Sequence, residues 1–272
     1  MKDITFGQYF PAKSFVHSLN ASVKILLTIA FIVAVFLVNQ YYFLGFALCF
    51  LFILITTAFA KIPFTKLLSS VRAVVFIVVF SAVLQVFFNK TGKVVFSWRF
   101  IKITDAGVYT AIYITVRILL IVIGASLLTY TTSPVEIADG LEFLLYPLKV
   151  IRFPVHEFAL IMSIALRFIP TLMNETGRII KAQKARGADF ESGNIFKRAK
   201  ALIPVLIPLL ISAFRRADEL ADAMDARCYA GSKKRTKYKK ATFSFRDAIG
   251  FITLGGLIAG VVLLNGFFGV IV

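Results

Sequence analysis

Residues Ala106–Tyr130 read AGVYTAIYITVRILLIVIGASLLTY, an apolar run of twenty-five positions carrying a single charge, Arg117. A helix that crosses a bilayer needs roughly 20 mostly apolar residues, so this stretch spans with a turn to spare. Three more such runs precede it, Val23–Val38, Phe43–Ala60 and Ala73–Phe88, and a fifth, Ala248–Val272, closes the sequence. The composition agrees with that reading. Of 272 residues 59% are hydrophobic and 17% charged, against roughly 45–50% and 25% in soluble domains. Mean hydropathy is +0.84. Phe alone supplies 29 side chains, more than a core of this size hides. A disordered chain, a fibrous repeat and an ordinary soluble enzyme are excluded; the fold class is an all-α, polytopic membrane protein.

Lys and Arg near the span ends set the expected orientation. Lys13 and Lys24 flank the start of the first span, and Lys61, Lys66 and Arg72 lie between the second and third. That places the N-terminus in the cytoplasm and the C-terminus, after five spans, outside. The segment between spans three and four carries Lys90, Lys93, Arg99 and Lys102 and runs against the rule. Its alternation (Val94, Phe96, Trp98, then Ile101 and Ile103) predicts a small external hairpin near residues 93–104. The polar opening Met1–Asn20 has no apolar core of the kind that a cleaved signal carries.

The region Thr131–Asp247 differs in kind, holding 20 of the 31 basic and 12 of the 14 acidic residues. We expect a cytoplasmic insert of three helices, near Pro134–Leu148, Val155–Arg186 and Ala199–Arg227, lying along the membrane face or under the bundle. Ser133 followed by Pro134 is a helix start. The apolar runs Phe158–Pro170 and Ala201–Phe214 are short for spans and flanked by charge. The expected organisation is therefore a four-span bundle (residues 1–130), a cytoplasmic domain (131–247) and a final span (248–272).

Catalytic apparatus is nearly absent. The sequence holds no phosphate-binding G-x-x-x-x-G-K-[ST] loop, no H-E-x-x-H, no C-x-x-C and no G-x-S-x-G. The two cysteines, Cys49 and Cys228, imply neither a disulfide nor a thiolate metal site. Asp218, Glu219, Asp222 and Asp225 fall at helical spacing beside Arg215, Arg216 and Arg227, which reads as a solvated, ion-paired face rather than a metal site. Arg117, in mid-span, is a functional candidate by its cost there; bonding to a neighbour's backbone is the alternative. Gly256 and Gly260 match a small-xxx-small packing pattern.

Two patterns resemble each other: Ala185-Arg186-Gly187 and Ala226-Arg227-Cys228, each closing an expected cytoplasmic helix. One copy is explained by helix-end physics, Arg complementing the dipole and Gly supplying a left-handed cap. Two copies under one bundle suggest docking tips, the planar guanidinium offering a fork to a partner carboxylate.

On these residues the chain resembles the transmembrane T component of energy-coupling factor transporters, related to the membrane subunit of cobalt importers. The resemblance also rests on Tyr9, Pro11, Ser14, His17, Leu19 and Lys24, on Thr131-Thr132-Ser133-Pro134, and on Leu166-Arg167-Phe168-Ile169-Pro170. It implies a non-catalytic scaffold in a bacterial cell membrane. The two tips would dock into two ABC-type ATPase subunits, which bind the ATP and Mg. The apolar faces with Phe158, Ile161, Ile164, Ile203, Leu206 and Leu210 would contact a small substrate-binding membrane subunit for a vitamin or other micronutrient. No cofactor, metal or catalytic residue is expected in this chain. Cys228 departs from the family's Gly, which puts a left-handed cap there in doubt.

Three other function classes compete. A lipid enzyme would need paired acids or His at the membrane face, where His156-Glu157 is the candidate. A self-sufficient carrier would need several polar residues within the spans, where Arg117 is nearly alone. Nucleic-acid binding would rest on Lys233-Lys234-Arg235-Thr236-Lys237-Tyr238-Lys239-Lys240, read more simply as a juxtamembrane lipid anchor.

Overall fold

A computed structural model of the chain describes residues 9–39, 43–89, 92–98, 101–151, 154–190, 192, 194–229, 231 and 243–269. Among them are α1 (Ala21–Leu37), α2 (Leu44–Ala60), α3 (Phe64–Phe88), β1 (Val94–Trp98), β2 (Ile101–Thr104), α4 (Asp105–Thr131), α5 (Pro134–Leu145), α6 (Val155–Ala185), α7 (Ile195–Ala226) and α8 (Phe245–Gly269). A 3-10 turn, Tyr146–Ile151, follows α5. The all-α membrane reading holds, and β1 pairs antiparallel with β2 as the expected hairpin. By length and composition α3, α4, α6 and α8 are able to cross a membrane. At 17 residues each, α1 and α2 are about 25 Å long, at the short end for a span.

Two compact units partition the chain: residues 1–140 with 241–272, and residues 141–240. The core of the first unit is apolar, with Phe31, Ala34 and Val35 of α1, Cys49 and Ile53 of α2, Leu120 and Leu127 of α4, and Leu257 and Val261 of α8. Close approach is built in at Gly124, where an added Cβ would lie 2.5 Å from the Phe31 ring. The Gly256/Gly260 pattern is not used in this way: nothing lies within 4 Å of a Cβ at Gly256, and at Gly260 the nearest atom is an ordinary 3.6 Å away.

Side-chain bonds at the helix ends fix how the elements run. The start of α1 meets the start of α8, where Asp247 accepts from the Asn20 backbone N–H at 3.0 Å. Their far ends meet too, Asn265 donating to Leu37 O at 2.6 Å, so α1 and α8 are parallel. Tyr113 near the start of α4 donates to Val38 O at 2.7 Å, and Lys24 donates to Thr131 O at the end of α4, so α1 and α4 are antiparallel. Tyr130 donates to Lys66 O at 3.0 Å, which sets α4 antiparallel to α3. Hence α4 ends and α8 begins at the same end of the bundle, and residues 132–244 connect two points there.

Arg117 lies among these ties. Its guanidinium donates to Phe36 O and Val38 O, each at 3.3 Å, bonds the Tyr113 hydroxyl, and stacks on the Phe36 and Tyr113 rings at 5.2 and 4.4 Å. The last carbonyls of a helix have no partners of their own, and a short helix leaves them at a depth where water is scarce. Arg117, Tyr113 and Asn265 supply donors to the end of α1, which is the backbone-bonding role.

Candidate functional site

The ends of α6 and α7 carry the paired motif, and they are built alike. At the first, Gly187 N–H donates to Lys184 O at 3.0 Å and Ala188 N–H to Gln183 O at 3.0 Å. At the second, Cys228 N–H donates to Asp225 O at 2.9 Å and Tyr229 N–H to Met224 O at 3.0 Å. Both are Schellman ends, with a left-handed residue one past the cap. Gly187 has φ +87° and Cys228 φ +55°. The cap that Cys228 put in doubt is therefore formed, by a side chain small enough to enter the left-handed region. Arg186 and Arg227 occupy the same cap position, and both triplets, Ala185-Arg186-Gly187 and Ala226-Arg227-Cys228, are exposed. The flanking pairs, Gln183 with Ala188 and Met224 with Tyr229, are half-buried in both.

Between the tips, α6 and α7 are joined by an ion pair: Arg216 Nη2 donates to Glu175 Oε2 at 2.6 Å. Glu175 and Arg216 each stand eleven residues before their tip arginine, about 16 Å along either helix. The remainder of both helices is amphipathic. Phe158 and Ile161 on α6 and Ile203, Leu206 and Leu210 on α7 are exposed, and Ile164 is half-buried. Leu206, Leu210 and Phe214 succeed one another at four-residue spacing and form one stripe. Of the residues described, α6 buries only Val155 and α7 only Val205. Helix α7 begins at Ile195, four residues ahead of the expected Ala199, because the basic turn at Lys197–Lys200 is helical although it is not apolar. Pro170, Pro204 and Pro208 lie within α6 and α7 without ending either.

A second cluster lies in the other unit and was not visible as a site in the sequence. Ser14 Oγ is 2.7 Å from His17 Nδ1, and His17 Nε2 is 2.9 Å from Phe10 O. The Tyr9 ring meets His17 edge-on. The buried Lys24 ammonium donates to His17 O and Thr131 O, both at 3.0 Å. Next to it Ser133 and Glu136 form a reciprocal capping box that opens α5. The N-terminal motif residues and the Thr131–Pro134 motif thus meet in one polar knot, where a lysine caps the carboxyl end of α4.

The remaining candidates take ordinary places. His156 Nδ1 lies 3.2 Å from Glu142 Oε1, bridging α5 and α6. Asp218, Glu219, Asp222 and Asp225 are exposed, and among the described residues no three His, Cys, Asp or Glu come together to hold a metal. The basic run 233–240 lies outside the described residues.

Comparison with known proteins decides what this pair of tips belongs to. The family described as Cobalt transport protein, CbiQ, matches residues 12–238. A relative in Ruminiclostridium cellulolyticum, named Energy-coupling factor transporter transmembrane protein EcfT, is 51% identical over 249 residues, 92% of each chain. The chain belongs to this family of energy-coupling factor T components. Proteins of the same name in Thermosediminibacter oceani and Bacillus subtilis are 44% and 42% identical, covering 97% and 93% of this chain and 98% and 95% of theirs. As a T component the chain is a multi-pass membrane subunit of an energy-coupling transporter, and the name is that of a transporter subunit rather than an enzyme. The family match includes both tips and the polar knot from Ser14 onward, and stops before α8.

Proposed function

We propose that this T component is the scaffold that couples two ATPase subunits to a substrate-binding membrane subunit in a vitamin or micronutrient importer. Arg186 and Arg227 each place a guanidinium fork in an acidic groove of one ATPase; ATP and Mg are bound there and not in this chain. Closure of the ATPase pair carries the two tips, and α6 and α7 shift against each other about the Glu175–Arg216 contact, as packed helices do in shear transitions. The stripe with Phe158, Ile161, Ile164, Ile203, Leu206 and Leu210 passes that shift to the substrate-binding subunit. Lys13, Lys61 and Lys66 lie at the end of the bundle where α1 and α8 start, which supports a cytoplasmic N-terminus and an external C-terminus.

The observation that carries this reading is the duplicated Schellman end with an exposed arginine at the same cap position. A guanidinium in a partner groove is worth about 2–5 kcal/mol when its counter-charge is left behind. Purification of tagged wild type in mild detergent is expected to bring down two ATPases and a small membrane protein. Arg186→Glu/Arg227→Glu is expected to lose the ATPases. Retention of both ATPases by the double variant sinks the docking role of the tips.

A further inference from the structure

At the end of the bundle where α1 and α8 start, an open cleft of about 730 Å³ is lined by Lys13, Lys61 and Arg246, with Phe15 and Phe59 at its edge. The three cations come from separate places: the segment before α1, the residue that follows α2, and the first turn of α8. All three are exposed, and among the described residues none is in an ion pair and no acidic side chain lines the cleft. Two of them stand where local physics disfavours them, Lys61 by its backbone conformation and Arg246 by its charge. Lys61 closes α2 in the left-handed region, φ +55°, a conformation suited to Gly. Arg246 lies in the first turn of α8, where the helix dipole favours an anion. The nearby carboxylate of Asp247 does not answer these charges: it is buried and accepts from the Asn20 and Ser244 backbone N–H groups. A bound anion would answer them.

We infer that this cleft binds the head group of an anionic phospholipid, with Lys13, Lys61 and Arg246 on the phosphate. Lipid rather than a free anion fits because Phe59, in the last turn of α2, is 62% exposed and Phe15 36% exposed on the same cleft. The cations sit at the level where the spans end, which is head-group depth. This site is independent of the docking tips. A basic side chain near an anionic surface changes binding about five-fold, so removing three is expected to cost on the order of 100-fold.

The test is native mass spectrometry of the purified full chain, with phosphatidylglycerol and phosphatidylcholine offered in detergent. Wild type is expected to retain one phosphatidylglycerol in preference. Lys13→Gln/Lys61→Gln/Arg246→Gln is expected to lose that preference, and Lys13→Arg/Lys61→Arg/Arg246→Lys to keep it. Lys61→Gly guards against misfolding: it relieves the left-handed strain, so it should melt no lower than wild type yet retain about five-fold less lipid. Unchanged phosphatidylglycerol retention in the triple Gln variant, or equal retention of phosphatidylcholine by wild type, overturns the site. Displacement of the lipid by excess inorganic phosphate overturns the lipid assignment in favour of a free-anion site.

Discussion

Cys228 offers a direct test of whether cap geometry, and not only arginine, makes the second tip. Its backbone sits at φ +55° and its N–H and that of Tyr229 close the end of α7 on Asp225 O and Met224 O. A residue with a Cβ gives up about 1–2 kcal/mol to stand in the left-handed region, which Gly187 at the first tip avoids. Cys228→Gly recovers that cost but adds chain entropy to the open state, about 0.4–1 kcal/mol, leaving a net gain of about 0.5–1 kcal/mol. Cys228→Val forces a β-branched residue into the same conformation and weakens the cap by about 1–3 kcal/mol. The readout is hydrogen exchange at the Cys228 and Tyr229 amides in the purified chain. The Gly variant should exchange about two- to five-fold more slowly than wild type, since 1 kcal/mol is about five-fold, and the Val variant faster by at least as much. Co-purification of the ATPases should follow the same order. If Gly and Val exchange alike, the two tips are not held by a common cap and their likeness is only in sequence.

Two further outcomes follow from the buried and half-buried charges. Lys24→Met removes the donor to His17 O and Thr131 O, two carbonyls at the buried junction of α1 and α4. An unsatisfied buried acceptor costs about 1–3 kcal/mol, so the thermal midpoint should fall by about 2–12 °C; an unchanged midpoint would show that water replaces the ammonium. At the crossing of α6 and α7, Glu175→Arg or Arg216→Glu should reduce uptake per ATP hydrolysed in the reconstituted complex, and the Glu175→Arg/Arg216→Glu exchange should restore it. The pair is about a quarter exposed, so its own contribution is about 1 kcal/mol, and failure of the exchange to rescue would remove the pair from the coupling path.

The spans were legible because apolar length is a one-dimensional property. Expected Phe43–Ala60 differs from α2 by one residue at its start, and Ala106–Tyr130 from α4 by one residue at each end. Where an amphipathic turn continues a span, the apolar run ends before the helix does: α3 begins at Phe64, nine residues ahead of Ala73, through Lys66 and Arg72. The β-hairpin was visible in its alternation. The tips were visible as a repeated triplet, but the left-handed state of Cys228 was not, because Cys seldom adopts it. The polar knot and the ties to α1 were invisible for another reason. Most of these bonds have a backbone group on one side, which carries no residue signature, and a lysine inside a span gives no sign of which carbonyl it will meet. Glu175 and Arg216 are distant in sequence and lie on separate helices, so no i, i+4 spacing announces them.

The contrast between the two units bears on how a coupling subunit has to be made. Residues 1–140 with 241–272 are tied by polar side-chain bonds at both ends of α1, through Lys24 and Asp247 at one end and Arg117, Tyr113 and Asn265 at the other. Within a bilayer such ties matter more than apolar contact, because lipid is as good a neighbour for Leu as another Leu is. Helices α6 and α7 are different: long, apolar on one face, charged on the other, and with one buried side chain each among the described residues. Of the four helices able to span, α6 is the least apolar. Its charges, Glu157, Arg167, Glu175, Arg178, Lys181 and Lys184, flank the uncharged run Phe158–Leu166, as the expected placement along the membrane face would require. In that placement water would compete for the stripe, and because Ile161, Ile203, Leu206 and Leu210 are about half exposed, covering each is worth about 0.7–1.5 kcal/mol. A partner that covers the stripe therefore gains affinity from burial that it would not gain inside the bilayer. On the coupling role proposed above, the same stripe would be released and regripped as the helices shift, because among the described residues no network of buried hydrogen bonds within α6 and α7 has to be broken first.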